Sequence, residues 1–413
     1  MSALTLYKST RLLLLAGLLS VCAACSEQGE PTLPATDLQI QVLNPLPAQA
    51  LQQQNITGFD IYAEGPKLHA IFTAAAADPK HPFIGYLHSE DGGLHWSVPT
   101  EVGSQFNLAV ESRQGNDIQL AVAGSTVLAV WQTTGELPGM GPLVAIYSLD
   151  GGISWQQGSN PGSSDTDQSH PDLIADVQGR FHLVWLDDRD ENGYQGLRYA
   201  RSSDAGGHWE LAQTIDASSC SCCWNRLAVS ATGQINVLYR DMQPRDMALA
   251  QSSDGGASWQ RISNVGEFNW QFDGCPHNGG GLSQGPDGML HSVVWTGADN
   301  QVGLYYLQSA DNGKSWSRPM PLAAGTPAFH SDIAANGRNR LAGVWDALEP
   351  TGSTVLLADS KNQGGDWSPA RQLSTPGTVA SHPRIVATAS GWLALWTEQS
   401  PQAAKQWRIA VIQ

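Results

Sequence analysis

One phrase is written six times along this chain. It reads SEDGGLHW from Ser89, SLDGGISW from Ser148, SSDAGGHW from Ser202, SSDGGASW from Ser252 and SADNGKSW from Ser309, with a degraded copy, SKNQGGDW, from Ser360. The shared form is Ser-x-Asp-x-Gly-x-x-Trp, and successive copies lie 50 to 59 residues apart. A period of that size marks an array or a propeller, built from units that cannot bury a core alone. The residue chemistry says what each copy does. Ser and Asp side chains bond backbone amides in a tight turn, Gly accepts positive φ, and Trp covers a hairpin. Asp91, Asp150, Asp204, Asp254 and Asp311 are therefore expected to build turns.

A second repeat counts the units independently. Before each turn phrase lies a β-rich run ending in an aromatic: Phe72, Trp131, Trp185, Tyr239, Trp295 and Trp345. A seventh run ends at Trp396, and one further β-rich run, QWRIAVIQ, follows it. The seventh unit is thus one strand short, and DLQIQVL (Asp37–Leu43) alternates correctly to supply it. Closing a ring with strands from both ends removes exposed sheet edges. With 43 Gly, 15 Trp and only 15% charged residues, the chain has the profile of a turn-rich all-β protein. The predicted architecture is a single β-propeller of seven four-stranded blades over 38–413, with six as the alternative count.

The Ser-x-Asp-x-Gly-x-x-Trp phrase resembles the Asp-box, or BNR repeat, of sialidase-like β-propellers, across nearly all of 38–413. The combination CSCCW…YRD…RD…GCPHNG further resembles a group of exported bacterial proteins of that kind. The resemblance implies the propeller and places the box between the third and fourth strands of each blade. True sialidases of this type have six blades, which sets them apart from the count above.

The N-terminus reads as an export signal. Lys8 and Arg11 precede an apolar run from Leu12 to Leu19, too short for a permanent membrane span. It ends in VCAAC, which is similar to a bacterial lipoprotein box with Cys25 as the lipidated residue, although Cys22 stands where Leu is usual. We expect a leader over 1–24, a flexible tether over 25–37, and a membrane-anchored protein facing the periplasm or cell surface. The formal charge of −16 argues against nucleic acid or an anionic membrane surface as a partner. The membrane is then reached through the lipid anchor only, and the ligand is a small molecule, a glycan or a metal.

In a propeller the loops between blades lie on the face opposite the Asp-boxes, near the axis. Here those loops carry His170; then Cys220, Cys222, Cys223 and Arg226; then Cys275 and His277; then His330; then His382 and Arg384. The two cysteine loops belong to neighbouring blades, so four thiols can meet. Thiolate with imidazole suits copper(I) or zinc. Disulfides between the two loops are the plain alternative for an exported protein, and redox chemistry a third. The loops after the second strands add Asp187, Asp188, Arg189, Arg240, Asp241, Asp346 and Glu398 to the same face.

Arg189, Arg240 and Arg384 could imitate the arginine triad with which a sialidase holds a carboxylate. Asp188 and Asp241 then become candidate catalytic groups. Against this, the Phe/Tyr-Arg-Ile-Pro motif of that family is absent and no tyrosine–glutamate pair is identifiable. Another reading has Arg240–Asp241 and Arg245–Asp246 as ion pairs that order one loop. His69, His182 and His291 lie inside second strands and read as packing residues. Three functions stay open: a metal-binding propeller, an exo-acting glycoside hydrolase of sialidase type, and a disulfide-bonded scaffold without catalysis.

Overall fold

The computed structural model describes residues 38–413 apart from 46–54, 77–80, 136–138, 140, 163–166, 188–194 and 351. Cys25 with the leader and tether, and Asp188 and Arg189, lie outside the described residues.

Seven four-stranded antiparallel sheets make up the described residues. The innermost strands are Ile56–Glu64, Gln119–Ala123, Gln168–Ala175, Arg226–Val229, Gly281–Gln284, Ala328–Asn336 and Val379–Ala387, which number blades one to seven. Each inner strand touches the next, and the seventh touches the first, which closes the ring. Ile40–Leu43 pairs antiparallel with Gln406–Ile412, Ile40 opposite Ile412, and completes blade seven as predicted. The one helical turn among the described residues is Ser104–Phe106.

Alternation on the second strands drives the packing. Phe72, Trp131, Trp185, Tyr239, Trp345 and Trp396 are buried to 1% exposure or less, and Trp295 is half-buried. Burying one such ring stabilises by roughly 3 kcal/mol. The Asp-boxes are built alike. Ser89 Oγ accepts the Gly93 amide at 2.9 Å, and Asp91 Oδ1 accepts the His95 amide at 2.9 Å. Ser148 and Asp150 do the same to Gly152 and Ser154. In the degraded sixth copy Asn362 replaces the aspartate and still accepts the Asp366 amide at 2.9 Å.

The second-strand histidines are packing residues with a regular job. In blades one, three and five, His69, His182 and His291 each meet a third-strand tyrosine hydroxyl at 2.7 Å: Tyr86, Tyr199 and Tyr306. Each tyrosine then meets the edge of the next blade's Asp-box tryptophan, Trp155, Trp259 or Trp367. Burial lowers His69 and His291 to about 4, so both stay neutral.

Candidate functional site

The chain enters each inner strand from the axial face, opposite the Asp-boxes. The loop 220–225 leaves the fourth strand of blade three, Gln213–Ser219, and enters blade four. The loop carrying Cys275 and His277 leaves the fourth strand of blade four, Gln260–Val265, and enters blade five. The two loops meet. The sulfurs of Cys222 and Cys275 and a ring nitrogen of His277 lie within 4.8 Å of one another. The sulfurs of Cys220, Cys222 and Cys223 form a second such group, so Cys222 is common to both.

The four cysteines among the described residues are free thiols. Cys220 Sγ is 3.7 Å from Cys222 Sγ and 2.7 Å from Cys223 Sγ, against about 2.05 Å for a disulfide. Two thiolates each 2.3 Å from a tetrahedral ion stand about 3.7 Å apart, so the first separation suits a shared metal and the second is tighter than that. Cys220, Cys222 and Cys223 are buried, whereas Cys275 and His277 are exposed and form the mouth. Cys222 and Cys223 both hydrogen-bond the Cys220 sulfur, which favours its thiolate and pushes its pKa down. Its own contacts with Cys220 and Cys223, with burial, push Cys222 up.

Arg240 organises both loops without reaching the cavity. Its Nε donates to the Asn278 carbonyl at 2.8 Å, one Nη to the Arg245 carbonyl at 2.6 Å and the other to the Trp295 carbonyl at 3.0 Å. Its guanidinium is thereby committed to backbone and is not free to hold a substrate carboxylate. Nor do the expected ion pairs form: Asp241 pairs with Arg261 at 2.7 Å, Arg245 Nε donates to the Phe272 carbonyl, and Asp246 accepts the amides of Asn269 and Trp270. The loop is ordered, but by charge-assisted bonds to backbone, because carbonyls crowd this corner where side-chain carboxylates do not.

Deeper on the axis lies a ring that sequence reasoning missed. Asp60, Asp172 and Asp332 each accept a backbone amide from the next blade: Leu120 at 2.9 Å, Leu227, and Ile385 at 3.1 Å. Arg226 bridges Asp172 and Asp332 at 3.3 and 3.4 Å, and Arg384 bridges Asp60 and Asp332 at 3.1 and 3.4 Å. Asp117 adds a fourth carboxylate, bonded to the Phe59 and Gly115 amides. Burial raises Asp60, raises Asp172 to about 6 and Asp117 to about 7. A sequence signal existed: an aspartate two residues after the loop histidine in HPDL and HSDI, and again in FDIY and NDIQL. With Arg240 and Arg384 both engaged, neither of the described arginines of the expected triad stands free.

Above the ring opens a cavity of about 350 Å³ lined by Arg113, Gln114, His170, Cys222, Trp224, His277, His330 and His382 among others. Below it a pocket of about 40 Å³ reaches Asp117, Asp172, Arg226 and Arg384. His170 is buried, its Nδ1 2.9 Å from Ser169 Oγ and its amide bonded to Asn116; burial lowers it to about 3. The Trp224 ring lies 5.1 Å from that of His330 and 6.1 Å from that of His382. His330 Nδ1 bonds Asp346 Oδ2 at 2.6 Å. Burial, with His330 beside it, holds His382 well below the usual histidine range. Glu398 turns instead toward the Thr375 amide and Arg408, and Asp187 accepts the Trp185 indole N–H.

The profile of the BNR repeat-like domain family matches residues 42–267, more than half of the chain. No curated protein matches in sequence. Among solved structures, an ulvan lyase of polysaccharide lyase family PL25 superposes with a TM-score of 0.58 at 11% identity, covering 89% of this chain and 93% of that one. The polysaccharide lyase Uly1 gives 0.56 at 12%, covering 86% and 89%. YCF48 bound to D1 peptide gives 0.51 at 15%, covering 91% and 95%. At these identities the likeness shows the fold alone.

Proposed function

The chain belongs to the BNR repeat-like domain family, a sialidase-like propeller, and from that premise we propose an exported, lipid-anchored protein that binds one soft metal ion on its axial face. The ion is copper or zinc, and its donors are drawn from Cys220, Cys222, Cys223, Cys275 and His277. The observation that carries this reading is the convergence of Cys222, Cys275 and His277 from two loops within 4.8 Å. Four reduced thiols with an imidazole, open to solvent at one side, make a donor set suited to a thiophilic cation. The glycan reading is weaker, because Arg226, Arg240 and Arg384 are all engaged within the protein.

Element analysis with a thiol count tests the reading. The purified protein should carry copper or zinc, and Cys222→Ser should lose about one equivalent per chain. Metal-free preparations with every cysteine oxidised would replace the metal by a disulfide staple between blades. For the anchor, Cys25→Ser should move the protein out of the membrane fraction, and unchanged fractionation would remove lipidation. Hydrolysis of a fluorogenic sialoside, abolished in Arg384→Ala, would restore the glycosidase reading.

A further inference from the structure

On the side of the cavity formed by blades six and seven stands a second donor group. One atom each of His330, Asp346 and His382 lies within 4.8 Å of the others. Two imidazoles and a carboxylate with room beside them are a donor set for a borderline transition metal rather than for the soft ion a thiolate cluster selects.

The backbone is distorted at both histidines, as it also is at His170. His330 and His382 have φ of 33° and 55°, in the left-handed region, which is uncommon and strained for a residue with a β-carbon. Each sits in a bulge, where the pairing register shifts between Phe329 and Asp332 and between Ser381 and Arg384. Bulges re-aim side chains and are frequent beside functional sites. Here they stack the two rings, centroids 3.7 Å apart and planes 20° from parallel, lining the cavity together; one ring must turn about its Cβ–Cγ bond before both can aim a nitrogen at a single ion.

The polar atoms are left incomplete. Asp346 is buried, and its Oδ2 accepts from His330 Nδ1 at 2.6 Å and from the His382 amide at 2.9 Å. His382 Nδ1 is buried with no hydrogen-bond partner. A buried nitrogen without a partner is unfavourable, and a cation beside the carboxylate would relieve it. An ion about 2.0–2.1 Å from a nitrogen and an oxygen at a right angle holds them about 2.9 Å apart. Admitting one displaces the proton shared by His330 Nδ1 and Asp346 Oδ2 and opens that contact.

We propose that His330, Asp346 and His382 bind a borderline divalent metal of the copper(II), nickel or zinc class, with its remaining coordination positions open to the axial cavity beside Trp224. This site is separate from the thiolate cluster and does not depend on it. A two-histidine, one-carboxylate set leaves positions vacant for a small ligand, so the cavity is where a molecule bound to that metal sits.

The test uses copper(II) as the probe, on the full chain carrying Cys220→Ser, Cys222→Ser, Cys223→Ser and Cys275→Ser. Titration followed by electron paramagnetic resonance should show one equivalent of copper with coupling to two nitrogens. Adding His382→Gln should remove that signal, and Asp346→Asn should weaken binding at least tenfold. A second route keeps the wild-type chain intact: after its thiols are saturated with silver(I), copper(II) should still add one equivalent with the same spectrum. The proposal is overturned if copper fails to bind in both preparations, or binds unchanged in His382→Gln. Failure of the thiolate reading looks different, since there the cysteine variants would leave the metal content of the purified protein unaltered.

Discussion

The backbone carbonyl of Arg240 accepts the amide proton of Cys220 at 2.9 Å, and the side chain of the same arginine holds the carbonyl of Asn278, next to His277. One residue thereby fixes both cysteine loops, and its positive charge favours the thiolate of Cys220. Loop position and sulfur ionisation are coupled through it.

Arg240→Ala should therefore reduce stability and metal binding together. It leaves three carbonyls without their charged donor, at about 1.5–3 kcal/mol each before water compensates, so a net loss of about 3–5 kcal/mol is expected in urea unfolding. Arg240→Lys should not rescue it, because an ammonium cannot reproduce the planar fork. Full metal binding in a destabilised Arg240→Ala protein would uncouple the two effects.

Cys222 is the donor common to both sulfur groups. Metal that binds only the native state stabilises it in proportion to saturation, by about 2.7 kcal/mol at a hundred times the dissociation constant. Saturating zinc should raise the wild-type melting temperature by about 3 °C more than it raises that of Cys222→Ser. Equal shifts in both proteins would place the zinc elsewhere.

Two glycines should respond very differently to alanine. Gly256 has φ of 88°, and a β-carbon there would collide with the Tyr199 hydroxyl, whose blade-to-blade contact with Trp259 depends on this space. Gly233 has a similar φ of 85°, with nothing near the added atom. Gly233→Ala should cost about 1 kcal/mol from backbone strain alone, and Gly256→Ala at least 2 kcal/mol more. Chemical denaturation gives both values, and similar losses would mean that the Tyr199 contact is easily rearranged.

Burial raises the Asp117 carboxyl to about 7, against a lowering pull from the Phe59 amide and Arg384, while its ordinary value is 3.8. Between those values the native state holds a proton that the unfolded chain has released. This group's contribution to stability is thus full below about pH 4 and is lost as pH rises toward 7. Asp117→Asn cannot ionise. Its stability relative to wild type should rise by roughly 3 kcal/mol between pH 5 and pH 8. Urea melts at the two pH values measure this, and a difference that does not change with pH would show that the carboxylate is solvated.

The blades were legible because each is built by local chemistry repeated in sequence. Ser89 and Asp91 bond amides within four residues of themselves, so the box carries its own geometry wherever it occurs. Seven aromatic runs set the blade count, and the alternation around Ile40 foretold the closing strand. The loops that hold Cys222, Cys275 and His330 could be assigned to the axial face from strand order alone. Which of their atoms meet could not. The Arg240 guanidinium reaches carbonyls 5, 38 and 55 residues onward, and no periodicity in the chain encodes those partners. The aspartate ring exists only because seven inner strands close around one axis and four of them offer an amide to an aspartate of a neighbouring blade. Local hydrogen bonds follow the sequence that contains them. Contacts across the axis follow the curvature of the closed ring, and that is set by the packing of all seven blades at once.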